Sequence, residues 1–206
     1  EWIFFHLHCK TVGYHNDMYP PSAQGQAREV PVQDQVDEYE VIGPDGYGYP
    51  IYALKQNHKA LYGSLISEQD MAKAYDDGNP YVNRDPRFYR DITYHGSMFK
   101  GKWINTATGA DAINAANSTS TGYFTRKYFD GYYTKGMSGN WNFDAPLIRL
   151  ATIYLVYAEA VTRSKGATPE VYNLMNELRA RSFMAPIPPA AQTNKELLLD
   201  YILRER

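Results

Sequence analysis

The sequence predicts a mainly α-helical fold, in which helical hairpins carry long irregular loops and a few minor β-strands. Residues 146–163 (PLIRLATIYLVYAEAVTR) repeat apolar side chains at three- and four-residue steps without an internal glycine or proline, which is typical of a packed helix. A second helical pattern, TPEVYNLMNELRARS, begins at Thr168 after a connection of only residues 164–167, so the two helices form a hairpin. Thr193 and Glu196 have capping-box spacing and predict a last helix.

The helix at residues 146–163 also carries signals for its start and its buried face. Pro146 suits a first helical turn, and Asp144 just before it is placed to cap the helix. Arg149 lies one turn in, between apolar neighbours, so we expect it to be partly buried and paired with a carboxylate or backbone carbonyls. A ligand-binding role for this arginine is the alternative. The side chains predicted to share the main apolar face are Leu147, Leu150, Ala151, Tyr154, Ala158 and Val161.

Composition excludes several classes of protein. The chain has 206 residues, and an apolar content of 44% argues against intrinsic disorder. Its 21 basic and 23 acidic residues give a net charge of -2, which provides no basic footprint for nucleic acid. The single cysteine, Cys9, cannot form an internal disulfide bond. No apolar run approaches the roughly 18 residues of a membrane-spanning helix.

Tyrosine is the commonest aromatic residue and is concentrated in loops. The chain has 19 Tyr against 8 Phe and 3 Trp, and many of the tyrosines lie among Gly, Asn, Asp and Pro. Aromatic faces beside hydroxyl groups are the chemistry used to hold sugars or peptides. The alternative is that each such tyrosine packs its loop onto the core.

The N-terminal residues predict one strand followed by one long loop. Residues 2–9 (WIFFHLHC) are apolar and β-prone. His6 and His8 alternate onto one face beside Cys9, but no second ligand cluster lies at a suitable spacing, so we predict no metal site. Residues 10–31 are rich in Gly, Pro, Asn and Asp, and irregular segments of that length are usually functional.

The next part of the chain predicts two short helices. Residues 31–40 begin at a proline and place Val32, Val36 and Tyr39 on one face. Residues 67–75 have a capping serine and an acid three positions later. Two segments remain open. Residues 51–66 fit either a weak helix or a strand, and the acidic turn at residues 76–80 reads better as a solvated turn than as a calcium site.

The segment NRDPRFYRDITYHG at residues 83–96 contains an arginine cluster around Asp85-Pro86. Such clusters tie loops to helix ends through charged hydrogen bonds, so we assign them to the scaffold. Residues 88–99 alternate as a strand would, residues 104–122 predict a surface loop, and residues 123–128 resume a strand-like pattern.

Six motifs in series resemble the C-terminal half of the SusD/RagB family. In chain order they are PVQDQVDEYE, RDPRFYRDITYHG, TGYFTRKYFDG, PLIRLATIYLVYAEAV, YNLMNELRAR and KELLLDYILRER. Their order and spacing both match from about residue 31 to residue 206, and the opening EWIFF looks like the strand that precedes this region. The resemblance implies a tetratricopeptide-like scaffold of helical hairpins with long loops.

The resemblance also implies a place and a role. Family members are lipid-anchored on the outer face of the Bacteroidetes outer membrane, bind glycans or in some branches peptides, and cover a SusC-like TonB-dependent transporter. We therefore expect residues 1–206 to be a fragment of one such domain, with residues 1–143 facing the ligand and residues 144–206 forming a helical hairpin and a truncated last helix. The lipid anchor would lie outside this fragment, and Cys9 is not its lipobox cysteine. No cofactor is predicted.

Family motifs do not transfer as binding residues, because variable loops build the ligand face in this family. Position in the loops predicts the ligand-contacting residues Tyr14, Asn16, Tyr19, Trp103 and Trp141. We expect truncation of Tyr14 or Tyr19 to weaken glycan binding without changing the melting temperature. The residues assigned to the scaffold are Arg84, Asp85, Arg87, Arg126 and Arg149.

The leading functional hypothesis is a non-enzymatic protein that captures oligosaccharides at the cell surface. A peptide-binding member of the same family and a pure scaffold are alternatives. A glycosidase is a further alternative, and it requires two carboxylates about 5–9.5 Å apart across a cleft. The acids available for that role are Asp37, Glu38, Glu40, Asp91 and Asp144.

Overall fold

The computed structural model describes residues 2–10, 14–54, 59–63, 65–127 and 142–206, and it is mainly helical, which confirms the predicted class. The helices are α1 (Tyr14–Met18), α2 (Gln33–Asp37), α3 (Ile51–Leu54), α4 (Lys59–Tyr62), α5 (Glu68–Ala74), α6 (Pro86–Asp91), α7 (Leu150–Lys165), α8 (Pro169–Ala180) and α9 (Lys195–Glu205). The strands are β1 (Trp2–Lys10), β2 (Val41–Ile42), β3 (Gly48–Tyr49), β4 (Ile92–Thr93), β5 (Met98–Phe99), β6 (Lys102–Trp103), β7 (Phe124–Thr125) and β8 (Asn142–Arg149). They pair as β1–β8, β2–β3, β4–β7 and β5–β6.

The chain divides into two compact units. Unit 1 consists of Glu1–Phe5, Asp37–Pro86 and Pro146–Arg206, and unit 2 of His6–Val36 and Arg87–Ala145. Unit 1 contains the long C-terminal helices, whereas unit 2 contains the short strands β4 to β7. The predicted division of roles at residue 143 remains a prediction.

The long helix of unit 1 begins later than its sequence indicates. Residues 142–149 form β8, and α7 starts at Leu150, so the predicted start at Pro146 with Asp144 as cap is wrong. Proline lacks a backbone N–H and is confined in sheets to edge strands, and β1 is the one strand paired with β8 among the described residues. Arg149 is extended and exposed at the N-cap, and the expectation that it is partly buried is also wrong.

The buried face of α7 is rotated from the predicted one. Leu155, Ala158 and Thr162 are buried, because this face packs against α8 and α9. Ala158 was correctly placed, but Leu147 is 59% exposed and Tyr154 also lies on the exposed side. No helix among the described residues combines the length and the apolar character needed to cross a membrane.

The predicted hairpin of α7 and α8 is confirmed. Gly166 ends α7 with a φ of 85°, a conformation that favours glycine. Thr168 caps α8 by accepting a hydrogen bond from the Val171 N–H at 3.4 Å, and Pro169 occupies the first turn. The cap of α9 was misassigned. Asn194, rather than Thr193, accepts the hydrogen bond from Leu197 N–H at 3.1 Å.

Most other predicted elements exist with changed bounds. Residues 31–40 contain α2, and residues 67–75 contain α5, whose cap Ser67 Oγ accepts from Asp70 N–H at 3.1 Å. The ambiguous segment at residues 51–66 contains the helices α3 and α4. Residues 88–99 do not form one strand, because α6 begins at Pro86, which is pre-organised for a first helical turn.

Unit 1 contains a buried ion cluster formed by Glu40, Arg179, Arg204, Glu205 and Tyr201, here called the Glu40 cluster. The Glu40 carboxylate accepts hydrogen bonds from Arg179 Nη1 at 3.0 Å and from Arg204 Nη1 at 2.9 Å. Arg179 also pairs with Glu205 at 3.3 Å. The Arg204 guanidinium carbon lies 4.8 Å from the Tyr201 ring centroid, which adds a cation–π contact. The cluster therefore joins the chain before β2 to α8 and α9.

Two tyrosines and one acid extend this cluster. Arg204 Nε donates to the Tyr52 hydroxyl oxygen at 2.9 Å, and Arg204 Nη2 donates to the Tyr62 hydroxyl oxygen at 2.6 Å. Asp200 accepts hydrogen bonds from Arg204 and from the Tyr62 hydroxyl. Burial raises the pKa of Tyr52 to about 12 and also raises the pKa of Tyr62 well above its ordinary value.

These raised pKa values predict a loss of stability at alkaline pH. The unfolded tyrosines ionise near pH 10. The contribution of Tyr52 and Tyr62 to stability is therefore complete below about pH 10 and declines as the pH rises above it. Ultraviolet titration followed together with circular dichroism checks this, since both tyrosines should ionise only as the helices unfold. Tyr62→Phe should make the alkaline decline less steep. Ionisation of both residues near pH 10 with intact helices would contradict the prediction.

Candidate ligand-binding surface

The β5–β6 hairpin of unit 2 presents an apolar face to solvent and buries Phe99 on its other face. Met98 pairs with Trp103 and Phe99 pairs with Lys102, so Met98 and Trp103 share a face. Their side chains are 47% and 69% exposed, whereas Phe99 is fully buried. The turn residue Lys100 has a φ of 49° and the following glycine one of 74°, as a type I′ turn requires.

The N-terminal loop packs against the buried side of this hairpin. The Tyr19 and Phe99 rings meet edge to face with centroids 5.0 Å apart. Lys100 Nζ lies 4.9 Å from the Tyr19 ring centroid, and Lys102 Nζ donates to the Ser22 carbonyl oxygen at 2.6 Å. The structure thus brings together two segments, near residues 19 and 103, which the sequence analysis had predicted separately to contain ligand-binding residues.

Tyr19 lies in the core of unit 2. Its side chain is 2% exposed and belongs to a cluster that also includes Phe99, Ile104 and Phe124. Its burial contradicts the expectation that truncation leaves stability unchanged. A role of Tyr19 in ligand binding remains a prediction. Because its ring is buried, that role would be to position Phe99 and the hairpin.

We expect Tyr19→Ala to lower the free energy of unfolding by about 3–5 kcal/mol, as for other buried aromatic side chains. Tyr19→Phe is the matched control, because it keeps the ring that contacts Phe99. Denaturant unfolding of both variants measures the difference. Equal stability of the alanine variant and the unsubstituted protein would show that the ring does not hold the loop.

The structure describes the remaining predicted binding residues only in part. Asn16 lies in α1 and is half-buried, and its Oδ1 atom is buried with no hydrogen-bond partner in the described part of the chain. Such an oxygen can accept a hydrogen bond from a ligand or a water molecule. Tyr14 also lies in α1 rather than in a loop, but its side chain is outside the described part. Trp141 lies outside the described residues.

Three further residues of unit 2 were not predicted as binding residues from the sequence. Tyr89 and Tyr94 lie with ring centroids 6.4 Å apart, and Tyr89 is 39% exposed. Arg126, assigned above to the scaffold, donates from Nη1 to the Met98 carbonyl oxygen at 2.9 Å and lies over the Phe99 ring. The sequence signal that could have found the two tyrosines is Asp85-Pro86. A helix that starts at Pro86 would place them in or just after a short helix instead of inside a strand.

The contacts of Arg84 and Asp85, two residues of the arginine cluster at residues 83–96, fit the scaffold role predicted for them. Arg84 is buried and donates to the carbonyl oxygens of Pro80 and Tyr39, each at 2.9 Å. The backbone N–H of Asp85 donates to the Glu40 carbonyl oxygen at 2.8 Å. These contacts join segments of unit 1 and leave the scaffold assignment in place.

Three of the acids considered for catalysis are held in ion pairs. Glu40 belongs to the Glu40 cluster, and buried Asp91 pairs with Arg90 Nε at 3.1 Å. Glu38 lies 3.8 Å from Arg204 Nε, and the side chain of Asp144 is outside the described part. Among the described residues, no three His, Cys, Asp or Glu side chains lie together as a metal site would require.

Known proteins share both sequence pattern and fold with this chain. The sequence profile of the SusD family matches residues 4–206. A SusD-like carbohydrate-binding protein from Bacteroides fragilis is 20% identical with a TM-score of 0.70, over 99% of this chain and 38% of that one. Another SusD-like protein from Bacteroides fragilis is 25% identical with a TM-score of 0.64, over 100% of this chain and 40% of that one.

The chain thus spans about two fifths of the length of these solved structures. A comparison with curated protein sequences yields no match. Because the family profile matches almost the whole length, this chain belongs to the SusD family.

Proposed function

We propose that this protein is a non-enzymatic glycan-binding protein and that its ligand surface includes the exposed face of the β5–β6 hairpin. Membership of the SusD family carries the proposal. One of the relatives with the same fold is named as a carbohydrate-binding protein. The exposed Trp103 provides a second, independent support, because exposed tryptophan faces are suited to bind the C–H faces of sugar rings.

The physical basis of binding would be stacking combined with a few directed hydrogen bonds. Trp103 and Met98 offer a flat apolar surface on one side of the hairpin. Polar groups nearby would bond the sugar hydroxyls and fix the orientation of the ring. Asn16 stays a predicted binding residue, and its buried Oδ1 atom lacks a hydrogen-bond partner among the described residues.

The proposal extends to a place in nutrient uptake. The resemblance to the SusD/RagB family implies attachment to the extracellular face of the outer membrane by a lipid anchor. It also implies delivery of the oligosaccharide to a SusC-like TonB-dependent transporter. A co-purification experiment with the full-length protein and the transporter from the same cells tests this part separately from ligand binding.

A glycan and peptide array on the full-length protein tests the proposed ligand class, with calorimetry on the best ligands. We expect oligosaccharides to bind, and we expect no release of reducing sugar on prolonged incubation. Binding of peptides alone would favour the peptide-binding alternative. Release of reducing sugar by pure protein would favour the glycosidase. Binding of neither class would contradict the proposal and favour a pure scaffold.

A further inference from the structure

We propose that Asn105 determines the specificity of the glycan site, and that its side-chain N–H donates a hydrogen bond to an oxygen atom of the sugar stacked on Trp103. This inference rests on the proposed function and specifies which chemical groups the site selects. The group recognised would be a hydrogen-bond acceptor, such as a hydroxyl oxygen, a ring oxygen or an acetamido carbonyl oxygen. A protonated amine, which can only donate, would be disfavoured.

Asn105 lies on the same face of the hairpin as Trp103. Exposure alternates along this strand, since Trp103 and Asn105 are exposed whereas Ile104 and Thr106 are buried. The two strands stay paired beyond β6, because the Gly96 N–H donates to the Ile104 carbonyl oxygen at 2.8 Å. Side chains two positions apart in an extended chain share a face, and their backbones are about 7 Å apart. A sugar ring stacked on Trp103 can therefore direct one of its substituents at Asn105.

Three hydrogen bonds within the loop occupy all but one of the bonding groups of the Asn105 amide. Its Oδ1 atom accepts from the Ala107 N–H at 2.9 Å and from the Thr108 N–H at 3.0 Å. Its Nδ2 atom donates to Thr108 Oγ1 at 2.8 Å. An asparagine amide has two lone pairs on its oxygen and two N–H donors on its nitrogen. One N–H therefore remains without a partner in the described part of the chain, and the amide can offer a ligand only a donor.

The same hydrogen bonds fix the direction of the remaining N–H. Because two backbone N–H groups donate to Oδ1, exchanging the oxygen and nitrogen of the amide would lose both bonds. The backbone on either side is held as well. The Ile104 N–H donates to the Ser97 carbonyl oxygen at 2.9 Å, and the Thr106 carbonyl oxygen accepts from the Ile113 N–H at 3.0 Å. A donor that is fixed before the ligand arrives loses little conformational entropy on binding.

The stacking surface and the fixed donor would have different roles. Stacking holds any sugar that presents a C–H face, so it contributes affinity and little discrimination. A few precisely placed polar groups supply the orientation and the specificity of a binding site. A ligand that places another donor against the Asn105 N–H leaves two polar groups without a hydrogen bond, which costs affinity. The site would therefore distinguish an acetamido sugar from the corresponding amino sugar.

Calorimetry on the full-length protein with named oligosaccharides tests the inference. The neutral probes are cellotetraose, maltotetraose, xylotetraose, N-acetylated chitotetraose and the tightest-binding glycan of the array. Deacetylated chitotetraose is the probe that carries protonated amines, and we expect it to bind more weakly than its acetylated form. Asn105→Ser should weaken binding of the best neutral probe about threefold to tenfold, which is the effect of one lost hydrogen bond. Serine can still accept from the backbone N–H groups of the turn.

Asn105→Asp gives a second and different readout. A carboxylate keeps the acceptor for the two backbone N–H groups but replaces the remaining donor by an acceptor. The ratio of the two chitotetraose affinities should therefore shift toward the deacetylated form. Melting temperatures show whether the variants fold. If Asn105→Ser does not fold, Asn105→Asp decides, and if neither folds, the preference of the unsubstituted protein between the two chitotetraose forms decides.

Asn173→Ser and Asn173→Asp are the matched controls. Asn173 is exposed on α8, which belongs to unit 1, whereas the hairpin belongs to unit 2. Both variants should bind every probe as the unsubstituted protein does. Equal effects of the changes at Asn105 and Asn173 would overturn the inference, because a general effect of the substitution would then explain both.

The failure of the inference can be distinguished from the failure of the proposed function. If Trp103→Ala weakens binding while the Asn105 variants change neither affinity nor preference, the inference is overturned and the glycan site stands. Tighter binding of the deacetylated probe by the unsubstituted protein overturns it as well. If no probe and no glycan of the array binds, the proposed function fails, and the inference fails with it.

Discussion

Glu40→Ala is expected to lower the free energy of unfolding by about 3–5 kcal/mol, which is the cost of removing one partner from a buried ion pair. Glu40 and Arg179 are both buried, and so is Arg204. The substitution would leave two guanidinium groups without the carboxylate that accepts from both of them. Arg179 retains Glu205 and Arg204 retains Asp200, so these partners limit the loss.

Denaturant unfolding measures the effect, with Lys73→Ala as the control. Lys73 also forms an ion pair, with Asp70 at 3.0 Å, but both side chains are exposed. Exposed pairs of this kind contribute little because solvent screens them. We therefore expect the control to unfold at nearly the same denaturant concentration as the unsubstituted protein. A loss for Glu40→Ala no larger than that of the control would contradict the structural role of the cluster.

Trp103→Ala is expected to weaken glycan binding about fivefold to tenfold, which corresponds to the loss of about 1–1.5 kcal/mol of stacking. The melting temperature should hardly change, because the side chain is 69% exposed and packs little against the core. Calorimetry with the best ligand from the array provides the affinity. Trp103→Phe, which keeps a flat aromatic face, should retain part of the binding.

Phe183→Ala is the matched control for the removal of an exposed aromatic side chain. Phe183 is 85% exposed and lies in unit 1, outside the proposed surface. Its removal should leave the affinity unchanged. If both variants bind as tightly as the unsubstituted protein, or if both lose affinity equally, Trp103 is not the stacking platform.

Elements with strong local signals could be predicted from the sequence. Thr168 with Pro169 correctly predicted the start of α8, and Ser67 correctly predicted the start of α5, because caps are satisfied within one helical turn. The mainly helical class followed from the same patterns. Pro146 illustrates the limit of such signals, since its segment lies in β8, which depends on pairing with the distant β1.

Features that depend on distant contacts could not be predicted. Arg179 and Arg204 resemble exposed helical arginines in the sequence, but Glu40 lies 139 and 164 residues away and is buried with them. Tyr19 lies in a loop-like segment and was expected to be exposed, yet the β5–β6 hairpin covers its ring. Arg126 was assigned to the scaffold from its place in a family motif, which does not indicate its hydrogen bond to the Met98 carbonyl oxygen.

A crystal structure of the full-length protein with an oligosaccharide identified on the array tests the central claim most directly. We expect a sugar ring parallel to the Trp103 indole, with carbon atoms within about 4 Å of it. A ligand bound elsewhere in the protein, with the Trp103 side chain still facing solvent, would contradict the account.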